Sequence, residues 1–559
     1  AHSEIRAVFL SRDAPVYTHV MAPRVRIDQS TTPVSFHAIE AVGGWRYFMR
    51  FAAAAPESAA SAITRETVTK TPLALLGIIF AEAKSGAIVS ARNRFDSWHV
   101  ALLARAKQDP NLWADIVLVD AHLSVYEDRT FDEDFIRRLE EAQGNLASDD
   151  QIAHALACNH KCNVALQLGD FDAAQKNAEQ AIRLYKEANA DFGALHLHTH
   201  LAQIRMMRGD LLGASNVLHA MAEGLEKVPG QSDWLIAVAR ILQAEVYYET
   251  NAVERAKEMF DAAFRLVEDK DGWFDILIAA YRVNTRLAYA QFGLPGALEA
   301  LSHAEQIARD RNMPRLYRLL QIERLRALTL SDETRMAIRL LGEIGLSTDS
   351  GMLEESDDLA FRQGTTLVAV ARLLVRTRRA ADALDFIGPA EDLTIRRGQL
   401  LSLAKLRVIA ATAHWKLGAR TEATTSLLSA IRLLGDQPFC RFIIDEGPEM
   451  RYIVQAALDR DYVSVPPTPA QRRRLSEVMH HWVTSGRRAT SADRDDAEVL
   501  HRRYLQLLAL GNSNKEMASV MGVSTNTVKY HLKQIFRNLD VDNRTRAVHR
   551  ARDLGLLEQ

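Results

Sequence analysis

The sequence predicts an all-α chain: a right-handed superhelix of stacked helix pairs, then a four-helix unit at the C-terminus, with a small irregular or β-containing segment at the N-terminus. Three observations carry this. A Gly-Asp or Asn punctuation recurs through the middle of the chain, small alanines follow each mark at helical spacing, and residues 497–559 hold two capped amphipathic segments in succession.

The first 50 or so residues are rich in Val, Thr, Tyr and Phe and contain Pro15, Pro23 and Pro33, a composition of short strands or irregular structure. An Ala-rich stretch, Ala52 to Ala62 around Pro56, leads into the helical body. The clearest mark there is Gly169-Asp170, followed by Ala173, Ala174, Ala178 and Ala181. The Gly ends one helix and the small residues let two helices approach closely. Related marks are Gly209-Asp210 with Ala214, Asn251 with Ala256, Gly293 with Leu298, and Gly418 with Ala423, Ala430 and Ile431. Asp128 with Phe131 reads as an earlier, degenerate copy, and Ser331 to Ala383 as a blurred one. Clear neighbouring marks lie about 40 to 42 residues apart. Such pairs cannot bury their apolar faces alone, so they should stack. Ser464 to Pro469 and Thr484 to Asp496 read as linkers around a helix from about Pro469 to Trp482. The expected division is therefore 1–62, 63–463, 464–496 and 497–559.

Bulk properties narrow the function classes. A chain of 559 residues exceeds one core, and 48% hydrophobic with 25% charged residues is a globular composition. The most apolar run, Leu73 to Ala81, is far too short to span a bilayer, so no membrane partner is expected. The opening Ala1-His2-Ser3-Glu4 shows no secretory pattern, and three cysteines (Cys158, Cys162, Cys440) make no disulfide framework, which together suggest a cytoplasmic protein. The net charge of −2 is uneven: from Gln471 onward sixteen Lys/Arg face ten Asp/Glu, leaving −8 on the preceding part. A basic tail on an acidic body suits a nucleic-acid-binding module.

The tail explains that charge. Ser513-Asn514-Lys515-Glu516 is a capping box, Gly511 ends the helix before it, Gly522 permits a sharp turn, and Ser524 caps a further helix. On that helix Val528, Leu532, Ile535, Phe536 and Leu539 fall within about 100° of arc. Opposite them lie Asn526, Lys529, Tyr530, Lys533 and Arg537, a face suited to the major groove of double-stranded DNA.

The run Ser513-Asn514-Lys515-Glu516-Met517-Ala518, Val523-Ser524, Thr527-Val528-Lys529-Tyr530-His531-Leu532, Asn543-Arg544 and Leu554-Gly555-Leu556-Leu557 resembles the LuxR-type helix-turn-helix family. That resemblance implies base-edge contacts from Lys529, Tyr530 and Lys533, and phosphate contacts near Ser513, Thr525, Asn526 and Arg544. It further implies that a final helix, about Asn543 to Leu554, pairs two copies, hence a homodimer. The family opens on Leu-Thr-x-Arg-Glu, whereas this chain has Ala497-Glu498-Val499-Leu500-His501. The repeats resemble tetratricopeptide repeats, although their spacing exceeds the usual 34 residues. Phe442-Ile443-Ile444-Asp445-Glu446-Gly447-Pro448 extends the likeness to MalT-like regulators. In that family the superhelix receives an inducer or protein partner and an ATPase drives oligomerisation. A P-loop needs Gly-Lys, and the chain has no such dipeptide, so an ATP-independent sensor is favoured and no cofactor is expected.

Other constellations read as structural. His154, Cys158 and Cys162 share a helix face, and His196 and His200 share another, as packing rather than metal ligands. Aromatics of the central repeats suit either core or a concave ligand surface, and Trp234, Tyr248, Trp273 and Tyr281 are the candidates for a small-molecule inducer. No catalytic arrangement emerges. The expected function is a ligand-responsive transcription regulator; a peptide- or protein-docking regulator and the sensor-effector half of an ATP-driven activator remain alternatives.

Overall fold

The computed structural model describes residues 36–50, 64–228, 233–269, 273–349, 353, 364–447, 449–488, 503–521, 525–539, 541–554 and 556–557. Every element assigned among them is a helix. The body is a succession of antiparallel pairs in which each helix packs against its neighbours in sequence, from Pro72–Lys84 through Arg420–Leu433.

The marks read from the sequence are where the chain turns. Gly169 (φ 73°) ends Gln151–Leu168 in the left-handed region, a conformation that costs Gly nothing. Asp170 then caps Phe171–Glu187, its carboxylate accepting from the Ala173 N–H at 2.9 Å. Asp210 repeats the device on Gly213 at 2.9 Å. Asp128, Gly209, Asn251, Gly293 and Gly418 also adopt positive φ. Gly293 splits the segment Phe274–Asp310 into two helices of one pair. The blurred region contains Thr334–Glu343 and Gly364–Arg376, so the pairing continues through it.

Two expectations need correction. Residues 36–50, expected as strands or irregular structure, form the short helices Phe36–Ala41 and Trp45–Arg50. The prolines all precede them, and Trp45, Phe48 and Met49, at i, i+3 and i+4, bury one helical stripe near Phe80. Trp45 also donates to Asp115, and Arg46 pairs with Asp115 and Asp150. Residues 1–35 and the Ala-rich stretch lie outside the described residues. Second, the helix expected to end at Trp482 runs Pro469–Arg488, so its backbone takes up the start of the expected second linker.

One superhelical turn closes on itself. Asp128 accepts from the N–H groups of Arg315 and Leu316 at 2.9 and 3.1 Å and thereby caps Pro314–Leu330 from 187 residues away. Further along, Gln399 reaches the Gly169 carbonyl, and Gln437 bonds both Leu212 and Asp210. The inner face is therefore enclosed rather than an open groove. The C-terminal unit has its own core of Tyr504, Leu505, Leu508, Met517, Val528, Leu532, Ile535, Leu539, Ala547 and Ala551. No described helix is long and apolar enough to cross a membrane.

Candidate nucleic-acid interface

Helical residues 503–509 end at Gly511 (φ 83°), and the capping box then closes reciprocally. The Ser513 N–H donates to Glu516 Oε2 at 2.7 Å, and the Glu516 N–H donates to Ser513 Oγ at 3.3 Å. The Ser513 N–H, with the Ser513 side chain adding to it, favours the carboxylate and lowers the Glu516 pKa. Helix Asn514–Met521 follows, burying Met517 and Ala518. Gly522, Val523 and Ser524 lie outside the described residues. Thr525–Asn538 is the second helix of the motif, with Val528, Leu532 and Ile535 buried beneath it and the His531 ring stacked on Tyr504 at 4.9 Å.

The sequence-derived candidates divide as follows. Thr525 and Lys529 are exposed, as are Ser513 and Arg544. The backbone of Asn526, Tyr530, Lys533 and Arg537 belongs to the same helix, while their side chains lie outside the described residues. Arg544, at the first turn of Arg544–Asp553, donates to the Asn512 carbonyl at 2.7 Å. That bond places its guanidinium beside Ser513, so two candidates for phosphate contact converge. Asn543 caps this last helix by accepting from the Arg546 N–H at 2.9 Å. Arg546, Arg550 and Arg552 add exposed cations that the sequence reading passed over, although their spacing along one capped helix was the available signal. The unit does not stand clear of the body. Helix Thr525–Asn538 contacts Phe274–Asp310, and the carboxylate of Glu299 acts with burial to raise the Tyr504 phenol.

The four aromatic candidates of the superhelix do not form one site. Trp234 and Trp273 meet at 6.4 Å and surround His196. Tyr248 is buried and donates to Asp445 at 3.0 Å, and Tyr281 donates to Glu268 at 2.8 Å. Around Trp273 a buried group of neutral imidazoles extends through His196, His200, His122 and His160. Burial pushes His160 and His200 down to about 4, and His122 and His196 also fall well below their ordinary value. His154 instead turns to the Ala147 carbonyl, and Cys158 and Cys162 are buried free thiols. Among the described residues no three His, Cys, Asp or Glu side chains are placed to hold a metal ion.

The model of the "MalT-like TPR region" matches residues 127–460, more than half of the chain. The chain belongs to that family. The model of "Bacterial regulatory proteins, luxR family" matches residues 502–551, the capped pair and the helix after it. Among curated proteins, the "HTH-type transcriptional regulator AlkS" of Alcanivorax borkumensis is 23% identical over 385 residues, 66% of this chain and 42% of the relative. The chain thus spans less than half the length of that protein. A putative HTH-type transcriptional regulator, YhjB of Escherichia coli, is 50% identical over 46 residues, 8% of this chain and 23% of the relative. The serine/threonine-protein kinase PknK of Mycobacterium tuberculosis is 25% identical over 267 residues, covering 47% of this chain and 23% of the kinase. Among solved structures, a Rap protein complexed with competence and sporulation factor aligns with a TM-score of 0.50 at 12% identity. It covers 67% of this chain and all of the Rap chain, which supports the superhelical fold.

Proposed function

We propose that the chain is a DNA-binding transcription regulator whose C-terminal unit reads the major groove through helix Thr525–Asn538, under the control of what the superhelix binds. One observation carries the reading: a reciprocally closed capping box leads into a helix that hides Val528, Leu532 and Ile535 while Lys529 stays exposed, within the segment matched by the luxR family. The regulator relatives that align over about two thirds of the chain support it. In this reading Lys529, Tyr530 and Lys533 meet base edges. Ser513, Thr525, Asn526, Arg537 and Arg544 meet the backbone, and two copies pair through Arg544–Asp553 on adjacent half-sites. Control through the superhelix is supported by the contact between Thr525–Asn538 and Phe274–Asp310, because a helix resting on the body must adjust to enter a groove. The role is non-catalytic and requires no cofactor.

The test is fluorescence anisotropy of the full chain on labelled duplexes at rising salt. The reading expects log Kd to rise with log salt by about 0.9 for each phosphate neutralised. Binding that is independent of salt, or no binding to any duplex, contradicts it.

A further inference from the structure

The enclosed inner face carries a second set of chemistry. A cleft between the inward helices is lined by Arg282, Arg286, Arg326, Arg372 and Lys405. Arg286 sits between Glu249 at 3.3 Å and Glu323 at 3.0 Å, each 37 residues away in sequence. Arg282 pairs with Glu245 at 2.6 Å and Lys405 with Glu249 at 3.2 Å. The remaining partners come from elsewhere, from the turn after the short helix Arg441–Ile444. There Asp445 holds Arg326 at 2.6 Å, and Glu446 holds Arg372 at 2.9 Å.

Charge arithmetic separates these two groups of acids. Set against the five cations that line the cleft, the repeats supply Glu245, Glu249 and Glu323, which leaves Arg326 and Arg372 to the turn, where Asp445 is shared between Arg326 and Arg441. Asp445 and Glu446 therefore occupy the place of a doubly charged anion. The pairing is also incomplete in both senses. Of the residues that line the cleft, Arg286 has a buried Nε without an acceptor and Glu249 a buried Oε2 without a donor. A hydroxyl-bearing anion supplies both.

The turn is wired to the helix that precedes the C-terminal unit in sequence. Asp445 also holds Arg441 at 2.9 Å, Arg441 donates to Asn251 at 3.1 Å, and Asn251 bonds His481 at 3.0 Å. His481 lies on Pro469–Arg488, which precedes the DNA-binding segment and packs on Arg441–Ile444.

We propose that this cleft binds a small hydroxylated organic dianion, a hydroxydicarboxylate or a polyol phosphate, which takes Arg326 and Arg372 from Asp445 and Glu446 and so shifts the turn from which the Arg441–Asn251–His481 connection starts. The proposal rests on the reading that the superhelix controls the C-terminal unit. It names the ligand class and the route. An incoming dianion keeps the arginines paired; Asp445 retains Arg441, and the displaced Glu446 carboxylate regains its balance by turning to solvent.

The test is calorimetric titration of the full chain at fixed ionic strength with malate, glycerol 3-phosphate, succinate and lactate, on the parent chain and on Glu446→Gln and Asp445→Asn. Removing a competing carboxylate should tighten binding of malate or glycerol 3-phosphate by about tenfold or more. The tighter of the two identifies the head group, with succinate weaker and lactate weakest. The double variant Arg372→Gln/Glu446→Gln, which leaves no unpaired charge, should lose the gain. A role in stability alone predicts lower melting temperatures with no gain in dianion affinity. That result in both single variants overturns the proposal, as does absence of binding in all chains. A chain that binds duplex but no dianion overturns the proposal and leaves the DNA reading standing; one that binds the dianion but no duplex overturns the DNA reading instead.

Discussion

Lys529 illustrates how a residue's role follows from the opposite side of its helix. Val528, its neighbour, is fully buried, so a rotation of about 100° carries the lysine to solvent. Lys529→Ala and Lys533→Ala should each weaken specific duplex binding by about 1–3 kcal/mol, read in a mobility-shift titration. Unchanged affinity in both would show that this face does not meet bases. This part of the site was legible because capping residues and apolar spacing are local signals. The role of Arg544 was less so: its bond to the Asn512 carbonyl joins positions 32 residues apart, and no local spacing reveals it. The imidazoles make a prediction of opposite kind. His160 and His200 titrate near 4 when folded and near their ordinary 6.5 when unfolded. Their folded pKa is depressed, so the stability they contribute is present above 6.5 and lost as pH falls toward 4. Denaturant midpoints measured from pH 7 to pH 4 should decline, and His200→Phe should flatten the decline. A midpoint constant over that range would place these groups in contact with water.

Whole elements depend on partners far away in the chain. Helix Pro314–Leu330 starts at Met313, whose side chain offers no capping oxygen, and borrows Asp128 instead. Asp128→Ala should cost about 0.5–2 kcal/mol in chemical denaturation. Asp128→Asn should retain much of that, since Asn keeps an acceptor and tolerates the positive φ found there. Equal losses in the two variants would mean that the charge, rather than the cap, matters. Arg286 is a harder dependency: Arg286→Ala would leave Glu249 and Glu323 buried without their shared partner, a loss of about 3–5 kcal/mol. A loss below about 1 kcal/mol would show that water reaches these carboxylates. The sequence marked helix ends well, because Gly169, Gly209 and Asn251 terminate helices by their own backbone preferences. It missed Phe36–Ala41 and Trp45–Arg50, where nearby prolines suggested extended chain and the burial of Trp45 against a later helix prevailed.

At the scale of the molecule, repeat stacking was readable and closure was not. The punctuation predicts that pairs stack; the meeting of residue 128 with 315 and of 169 with 399 depends on the twist accumulated over several pairs. The charge ladder Glu249, Arg286 and Glu323 borders the cleft, and the turn at Asp445 and Glu446 completes its lining. Helix Thr525–Asn538 rests on Phe274–Asp310, a helix segment of the same superhelix. The central claim is that this helix reads duplex DNA, and it is tested most directly by selecting duplexes from a random pool with the full chain and with Lys529→Ala/Lys533→Ala. The account predicts that the parent enriches a two-fold symmetric sequence with half-sites about one helical turn apart, and that the double variant does not. Enrichment of the same sequence by both chains, or of no sequence by the parent, would contradict it.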